Sequence, residues 1–145
     1  VVWEKNPKLM YLGMQDQWYT FNMFDAQAWY ARDVILEKIE LPSFDDMQAH
    51  TLEWHKRETA QEDVAYAIDF QGAYTQMLID ETDYPNFDIK GVNKTFMDWK
   101  HDKKDGIMTF RDKSHASLMT GTQSPPHHTP WLKALDDSLE TYLDI

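Results

Sequence analysis

The segment from Gly13 to Asp33, with the apolar run Leu9, Met10, Tyr11 and Leu12 leading into it, constrains the fold more than any other stretch of the chain. The apolar lead reads as a short buried strand near Leu9 to Leu12, after a lead-in turn at Asn6 and Pro7. Met14 to Tyr19 then reads as a polar and aromatic crossing, and a helix from about Phe21 to Glu37 is aimed back at it. Phe21, Phe24, Ala28, Ala31 and Ile35 recur at helical steps, and Met23, Ala26, Tyr30 and Val34 form a second stripe beside them. Two apolar stripes predict a mostly buried helix, with Asp25 and Arg32 two turns apart on one side and able to pair.

Leu41 and Pro42 stop this first unit. Ser43 with Asp46 three residues on marks a new helix start, the acid standing where a capping-box Glu would. Phe44, Met47, Thr51 and Trp54 keep helical spacing, and Ala67, Phe70, Tyr74, Met77 and Leu78 repeat it, so two amphipathic helices follow one another. Tyr84, Pro85 and Asn86 break the pattern. A short helix carrying Phe96 and Trp99 is expected from about Asn93 to Lys104, with Gly106 as a left-handed cap, and Ile107 to Arg111 is expected to be extended. Gly121 to Pro126 reads as a loop, and Thr129 with Pro130 opens a last helix through Trp131, Leu135, Leu139 and Tyr142.

The chain has 145 residues, of which 42% are hydrophobic and 14% aromatic, enough for one core and unlike a disordered tail. A net charge of −11 argues against nucleic acid as a partner, since a phosphate backbone calls for a basic surface. With no cysteine there is no disulfide, thiolate metal site or thiol nucleophile. A cytoplasmic location fits that composition. No run approaches the roughly 18 apolar residues of a membrane span, and no signal peptide opens the chain. His50 and His55 lie on different helical faces and His127 and His128 diverge, so no metal is assigned. None of the five glycines belongs to a Gly-x-Gly-x-x-Gly turn, which lets a backbone approach a pyrophosphate.

The crossing and its helix, together with Asn93 to Phe96, Trp99 to His101, Ile107 to Asp112, Ser117 to Thr122 and His127 to Trp131, closely resemble bacterial flavin-containing monooxygenases of the trimethylamine monooxygenase type. The resemblance implies an α/β parent with two dinucleotide-binding domains, using FAD and NADPH, both bound through turns that this chain lacks. Here the chain is expected to be a mainly helical C-terminal fragment, with one or two short strands and a helical wrap. Residues 1–42 would be the last strand and helix of the FAD-binding domain, and residues 43–145 a helical region packing back over the parent. A start at Val1, without an initiator Met, agrees with that expectation.

The implied reaction is amine oxidation. NADPH reduces the flavin, dioxygen gives a C4a-hydroperoxyflavin, and trimethylamine, a similar tertiary amine or a sulfide takes one oxygen atom, the amine becoming its N-oxide. Partners are then the small-molecule amine, dioxygen and the missing N-terminal FAD and NADPH domains, with no nucleic acid and no membrane; a homodimer is compatible with all of this. The fragment alone is expected to be inactive.

Site residues follow from the same resemblance. Gln17 and Thr20 fall where the family meets the flavin ring, and a helix start there supplies N–H groups and about half a positive charge to the reduced ring's anionic edge. Read without the resemblance, they are helix caps. Asp16, Trp18 and Tyr19 face the substrate side: aromatic faces attract an alkylammonium by about 0.5 to 2 kcal/mol each, and the Asp16 carboxylate, cast as a catalytic group, pairs with it or takes its proton. Trp and Tyr beside a strand end also serve as core. Trp99 is expected along the nicotinamide, with a catalytic role, and Arg111 against phosphate or ribose oxygens; otherwise Trp99 marks a buried helical face.

Two other readings stay open. A non-catalytic helical interaction module is disfavoured because a lone apolar strand leaves an unpaired edge. A related flavin monooxygenase acting on sulfides or ketones shares the oxygen chemistry.

Overall fold

Glu4 and Lys5 form the turn that folds the start of the chain on itself, pairing strand β1 (Val2–Trp3) antiparallel with β2 (Asn6–Met10). The register joins Val2 to Met10 and Trp3 to Asn6, with an irregularity between Val2 and Trp3. This is a computed structural model, and it describes residues 1–13 and 18–123. The strand is earlier and more exposed than the apolar run predicts. It ends at Met10, Tyr11 and Leu12 are exposed, and Asn6 and Pro7 belong to the strand rather than to a turn. Proline is tolerated there because an edge strand leaves one row of N–H groups unused. The strand also has a partner in its own chain, so it is not the lone strand that argued against an interaction module, though each strand of the pair keeps one open edge.

Helix α1 (Thr20–Ile35) buries Met23, Ala26, Gln27, Ala31 and Asp33. Of the two predicted stripes, the one through Met23 and Ala26 carries the burial. The other is largely open, with Phe21 79% and Ile35 68% exposed. The helix ends in a left-handed residue, Glu37 at φ 57°. Glu37 N–H donates to the Val34 carbonyl at 3.1 Å and Lys38 N–H to that of Asp33 at 2.8 Å, the paired closure that satisfies the last helical carbonyls. Arg32 does not pair with Asp25, which lies about 10 Å along the axis. Its guanidinium forks onto Asp33 at 2.7 and 2.9 Å, also meets Asp83, and lies 4.3 Å over the Trp29 ring.

Helix α2 (Phe44–Thr59) starts where Ser43 and Asp46 place it: Ser43 Oγ accepts the Asp46 N–H at 3.2 Å and donates to its carboxylate at 2.6 Å. No residue of α2 is buried, and Trp54 anchors it edge-on against Phe70 and Tyr74 at 5.3 and 5.6 Å. Helix α3 (Val64–Asp80), capped by Asp63, packs on both α1 and α2. Helix α4 (Ile89–Asp105) starts four residues before the predicted Asn93, because Asp88 caps it through the Gly91 N–H at 2.9 Å. Gly72 lets α4 approach α3, since a Cβ there would stand 2.9 Å from Asn93 Oδ1 and 3.0 Å from Ile89 Cγ2. Around Tyr19, Met23, Ile79, Tyr84 and Phe87 these elements close one core.

The chain divides into two compact units within α4, one of residues 1–96 and one beginning at Met97. In the second, Gly106 is not left-handed, and Ile107 to Arg111 is not extended. Phe110 N–H donates back to the Gly106 carbonyl at 2.9 Å, leading into a single 3-10 turn, Phe110–Asp112. The segment satisfies its backbone locally. Lys113 pairs with Asp102 across this turn, and a tight loop at Gly121, φ 71°, brings Ala116 opposite Gln123. The helix expected after Thr129 lies outside the described residues. Among the described residues no helix is long and apolar enough to cross a membrane.

Candidate functional site

Residues on both sides of the crossing are tied down by side chains far away in sequence. Gly13, at φ 75°, donates its N–H to Gln27 Oε1 at 2.8 Å, and Trp18 donates its N–H to Gln71 Oε1 at 2.7 Å. Gln27 is itself buried and donates to the Tyr74 hydroxyl at 3.1 Å. Asp16 and Gln17 lie between these points in sequence and outside the described residues.

Thr20 is the first residue of α1. Tyr19 occupies the cap position with φ −84° and ψ 3° and makes no side-chain capping bond, and no acidic residue stands in the first turn. Two devices that usually neutralise the positive end of a helix are therefore absent from the described residues here.

Trp18 is half-buried, its ring tilted 5.7 Å from Phe96. Tyr19 is 2% exposed, with Phe96 edge-on at 5.3 Å and Phe87 at 6.4 Å. Its ring turns no face to solvent, unlike the expected substrate contact. Its hydroxyl reaches the Ile89 carbonyl at 3.1 Å and Asn93 Oδ1, while Asn93 donates onward to Asp69 at 2.7 Å. Burial, then the nearby Asp69 and Asp88 carboxylates, push that hydroxyl above the ordinary phenol range. Burial pushes Tyr74 up, against the opposing effect of its hydrogen bond with Gln27.

In the second unit Trp99 and Arg111 come together through Phe110. Trp99 meets that ring edge-on at 5.3 Å, the Arg111 guanidinium lies 4.4 Å over it, and Lys103 stands 5.1 Å from the Trp99 ring. Phe110 is buried and Arg111 exposed. Within the first unit, a cavity of about 410 Å³ runs between α1, α2 and α3, lined among others by Tyr30, His50, Tyr74, Met77 and Glu81. None of Trp18, Tyr19 and Thr20 lines it. His50 accepts from the Trp54 indole N–H at 2.8 Å. Among the described residues no three His, Asp or Glu side chains gather as a metal site would require.

No protein-family profile matches the chain. A trimethylamine monooxygenase of Roseovarius sp. (strain 217) is 56% identical over 143 residues, covering 99% of this chain and 32% of that protein. A second, from Methylocella silvestris, is 53% identical over 142 residues, with 98% and 32% covered. The crystal structure of Tmm from Pelagibacter sp. strain HTCC7211 superposes with a TM-score of 0.87 at 50% identity, over 97% of this chain and 32% of that one. The chain spans about a third of the length of these relatives and matches a C-terminal portion of them. Its mainly helical fold with a two-stranded sheet is the fold of that portion.

Sequence reasoning gave no role to Gln27, Gln71, Asn93 or Phe110, which the contacts above bring to the site. Gln27 left a signal: it falls on the buried stripe with Met23 and Ala31, four residues to either side, where a polar side chain must find partners. Gln71 left none, because its bond to Trp18 spans 53 residues.

Proposed function

We propose that this chain is the C-terminal part of an FAD- and NADPH-dependent monooxygenase that oxidises trimethylamine, or a similar tertiary amine, to the N-oxide. The observation that carries this reading is the 50% to 56% identity, over almost the whole chain, to proteins named trimethylamine monooxygenase. The chain spans about a third of the length of those relatives.

The start of α1 suits a flavin. Its positive end has neither a side-chain cap nor a first-turn acid among the described residues, and a reduced flavin carries negative charge along its pyrimidine edge. Gln17 and Thr20 hold that edge. When bound, the reduced flavin activates dioxygen for transfer to a nucleophilic amine.

The chain's own residues bind, orient and exclude water. Trp18 offers an aromatic face to the methylated nitrogen, and Asp16 takes the ammonium proton so that the lone pair is free. Tyr19 supports Trp18 from the core, through the Phe96 ring that both share. In the second unit, Trp99 lies along the nicotinamide and Arg111 meets a phosphate or ribose oxygen, both braced on Phe110. Residues 1–42 complete the FAD-binding domain, and the remainder forms its helical wrap.

Expressing the full-length protein that carries this segment tests the reading. It should purify with stoichiometric FAD and consume NADPH faster when trimethylamine is added. A protein without flavin, or NADPH consumption indifferent to trimethylamine, contradicts it.

A further inference from the structure

Two glutamines on different helices each spend a side-chain oxygen on a backbone N–H ahead of α1, one at Gly13 and one at Trp18. Gln27 Oε1 takes the Gly13 N–H at 2.8 Å, and Gln71 Oε1 takes the Trp18 N–H at 2.7 Å. Neither bond belongs to a helix or a sheet. Gln27 sits on the buried face between Met23 and Ala31, where an apolar side chain would pack without the cost of burying an amide. What the amide adds is an acceptor for Gly13 and a donor, at 3.1 Å, to the Tyr74 hydroxyl on α3. Gly13 admits no side chain without strain: it is left-handed, and a Cβ there would meet the Phe24 ring at 3.3 Å. Trp18 is held from a second side, its ring against Phe96.

We propose that Gln27 and Gln71 are positioning residues, which fix the backbone at Gly13 and Trp18 and thereby set where Trp18 and the first turn of α1 stand relative to flavin and amine. This rests on the reading of that turn as the flavin and substrate side. The two acceptors come from helices that also pack on each other, so Gly13 and Trp18 are both referenced to the α1 and α3 pair.

The test uses the full-length holoenzyme with Gln71→Leu, Gln71→Glu and Gln27→Leu, and with Leu78→Ala as a core control two turns further along α3. Amide hydrogen exchange at Gly13 and Trp18, the flavin midpoint potential, and kcat and KM for trimethylamine are measured on each. Gln71→Leu should speed exchange of the Trp18 amide about tenfold, shift the potential, and lower kcat on the order of tenfold with a smaller change in KM. Gln27→Leu should do the same with the Gly13 amide. Gln71→Glu, whose carboxylate still accepts the Trp18 N–H, should keep exchange of that amide at the wild-type rate and restore kcat, with the potential lowered by its added charge, and Leu78→Ala should lower the melting temperature without moving potential or kcat.

Faster exchange with an unchanged potential and kcat overturns the positioning role while leaving the flavin reading intact. A Leu78→Ala variant that reproduces the same shifts also overturns it, because the effect is then general loosening. If the wild-type protein holds no flavin, both the reading and this inference fall. Should Gln27→Leu not fold, the Gln71 pair of variants decides.

Discussion

Trp99 stands edge-on to Phe110, their ring centroids 5.3 Å apart and their planes at 77°. The contact is a favourable aromatic geometry worth about 0.5 to 1.5 kcal/mol beyond buried area, and it gives Trp99 a structural role whatever else it does. Trp99→Ala should therefore lower the melting temperature. In the full-length enzyme it should also raise NADPH consumption in the absence of amine and increase hydrogen peroxide formed per N-oxide. Both quantities are measured on the same sample. A destabilised variant with an unchanged peroxide-to-N-oxide ratio would leave Trp99 with the structural role alone.

Glu37 closes α1 at φ 57°, a conformation that costs an L side chain about 1 to 2 kcal/mol. Its side chain is exposed and makes no buried contact to lose. Glu37→Gly should stabilise the protein by about 0.5 to 1 kcal/mol, and Glu37→Val should destabilise it. Denaturant midpoints measured at constant m-value decide the matter.

Gly72→Ala sets two effects against each other. Helix propensity favours alanine by about 1 kcal/mol, but the new Cβ would come within 2.9 Å of Asn93 Oδ1 and 3.0 Å of Ile89 Cγ2. Asn93 has no easy retreat, since it is bonded to both Tyr19 and Asp69. Overpacking of this kind costs about 1 to 3 kcal/mol, so net destabilisation is expected in thermal unfolding. Gly72→Ala at or above wild-type stability would show that Asn93 yields.

The Arg32 guanidinium, hydrogen-bonded to Asp33, holds that carboxyl below the usual carboxylate range, and Lys38 adds to the effect. A depressed folded-state value means that the stabilisation is complete above the ordinary carboxylate value, near pH 4, and is lost as pH falls through the folded-state value. The stability gap between wild type and Asp33→Asn should be constant from neutral pH down to about pH 5 and shrink at lower pH. Melting curves taken across that range check it, and a gap that widens on acidification would contradict the assignment.

Local signals in the sequence were the legible ones. Ser43 and Asp46 announce α2 because the cap is made by residues three apart, and Tyr84, Pro85 and Asn86 break the helical pattern for equally local reasons. Phe21 to Ile35 misled because an apolar helical stripe says only that a surface seeks cover; in this chain Phe21 and Ile35 are open. The start of α4 was missed by four residues, since Asn93 looks like a cap and is instead drawn into the α3 contact by Tyr19 and Asp69. Gly106 likewise looks like a left-handed stop, yet its carbonyl is used by Phe110 to carry the chain into another turn. At the candidate site, pairing Trp99 with Arg111 was readable only through resemblance, and Phe110, which joins them, is one aromatic among many. Contacts such as Trp18 to Gln71 depend on tertiary packing and have no sequence signature.

The proposed function requires that one oxygen atom pass from dioxygen to an amine in the full-length protein. Incubating the full-length protein with NADPH, trimethylamine and heavy-oxygen dioxygen, then weighing the product by mass spectrometry, tests it most directly. The account predicts trimethylamine N-oxide carrying a single heavy oxygen atom, formed only when NADPH is present. No N-oxide, or N-oxide whose oxygen comes from water, would contradict it.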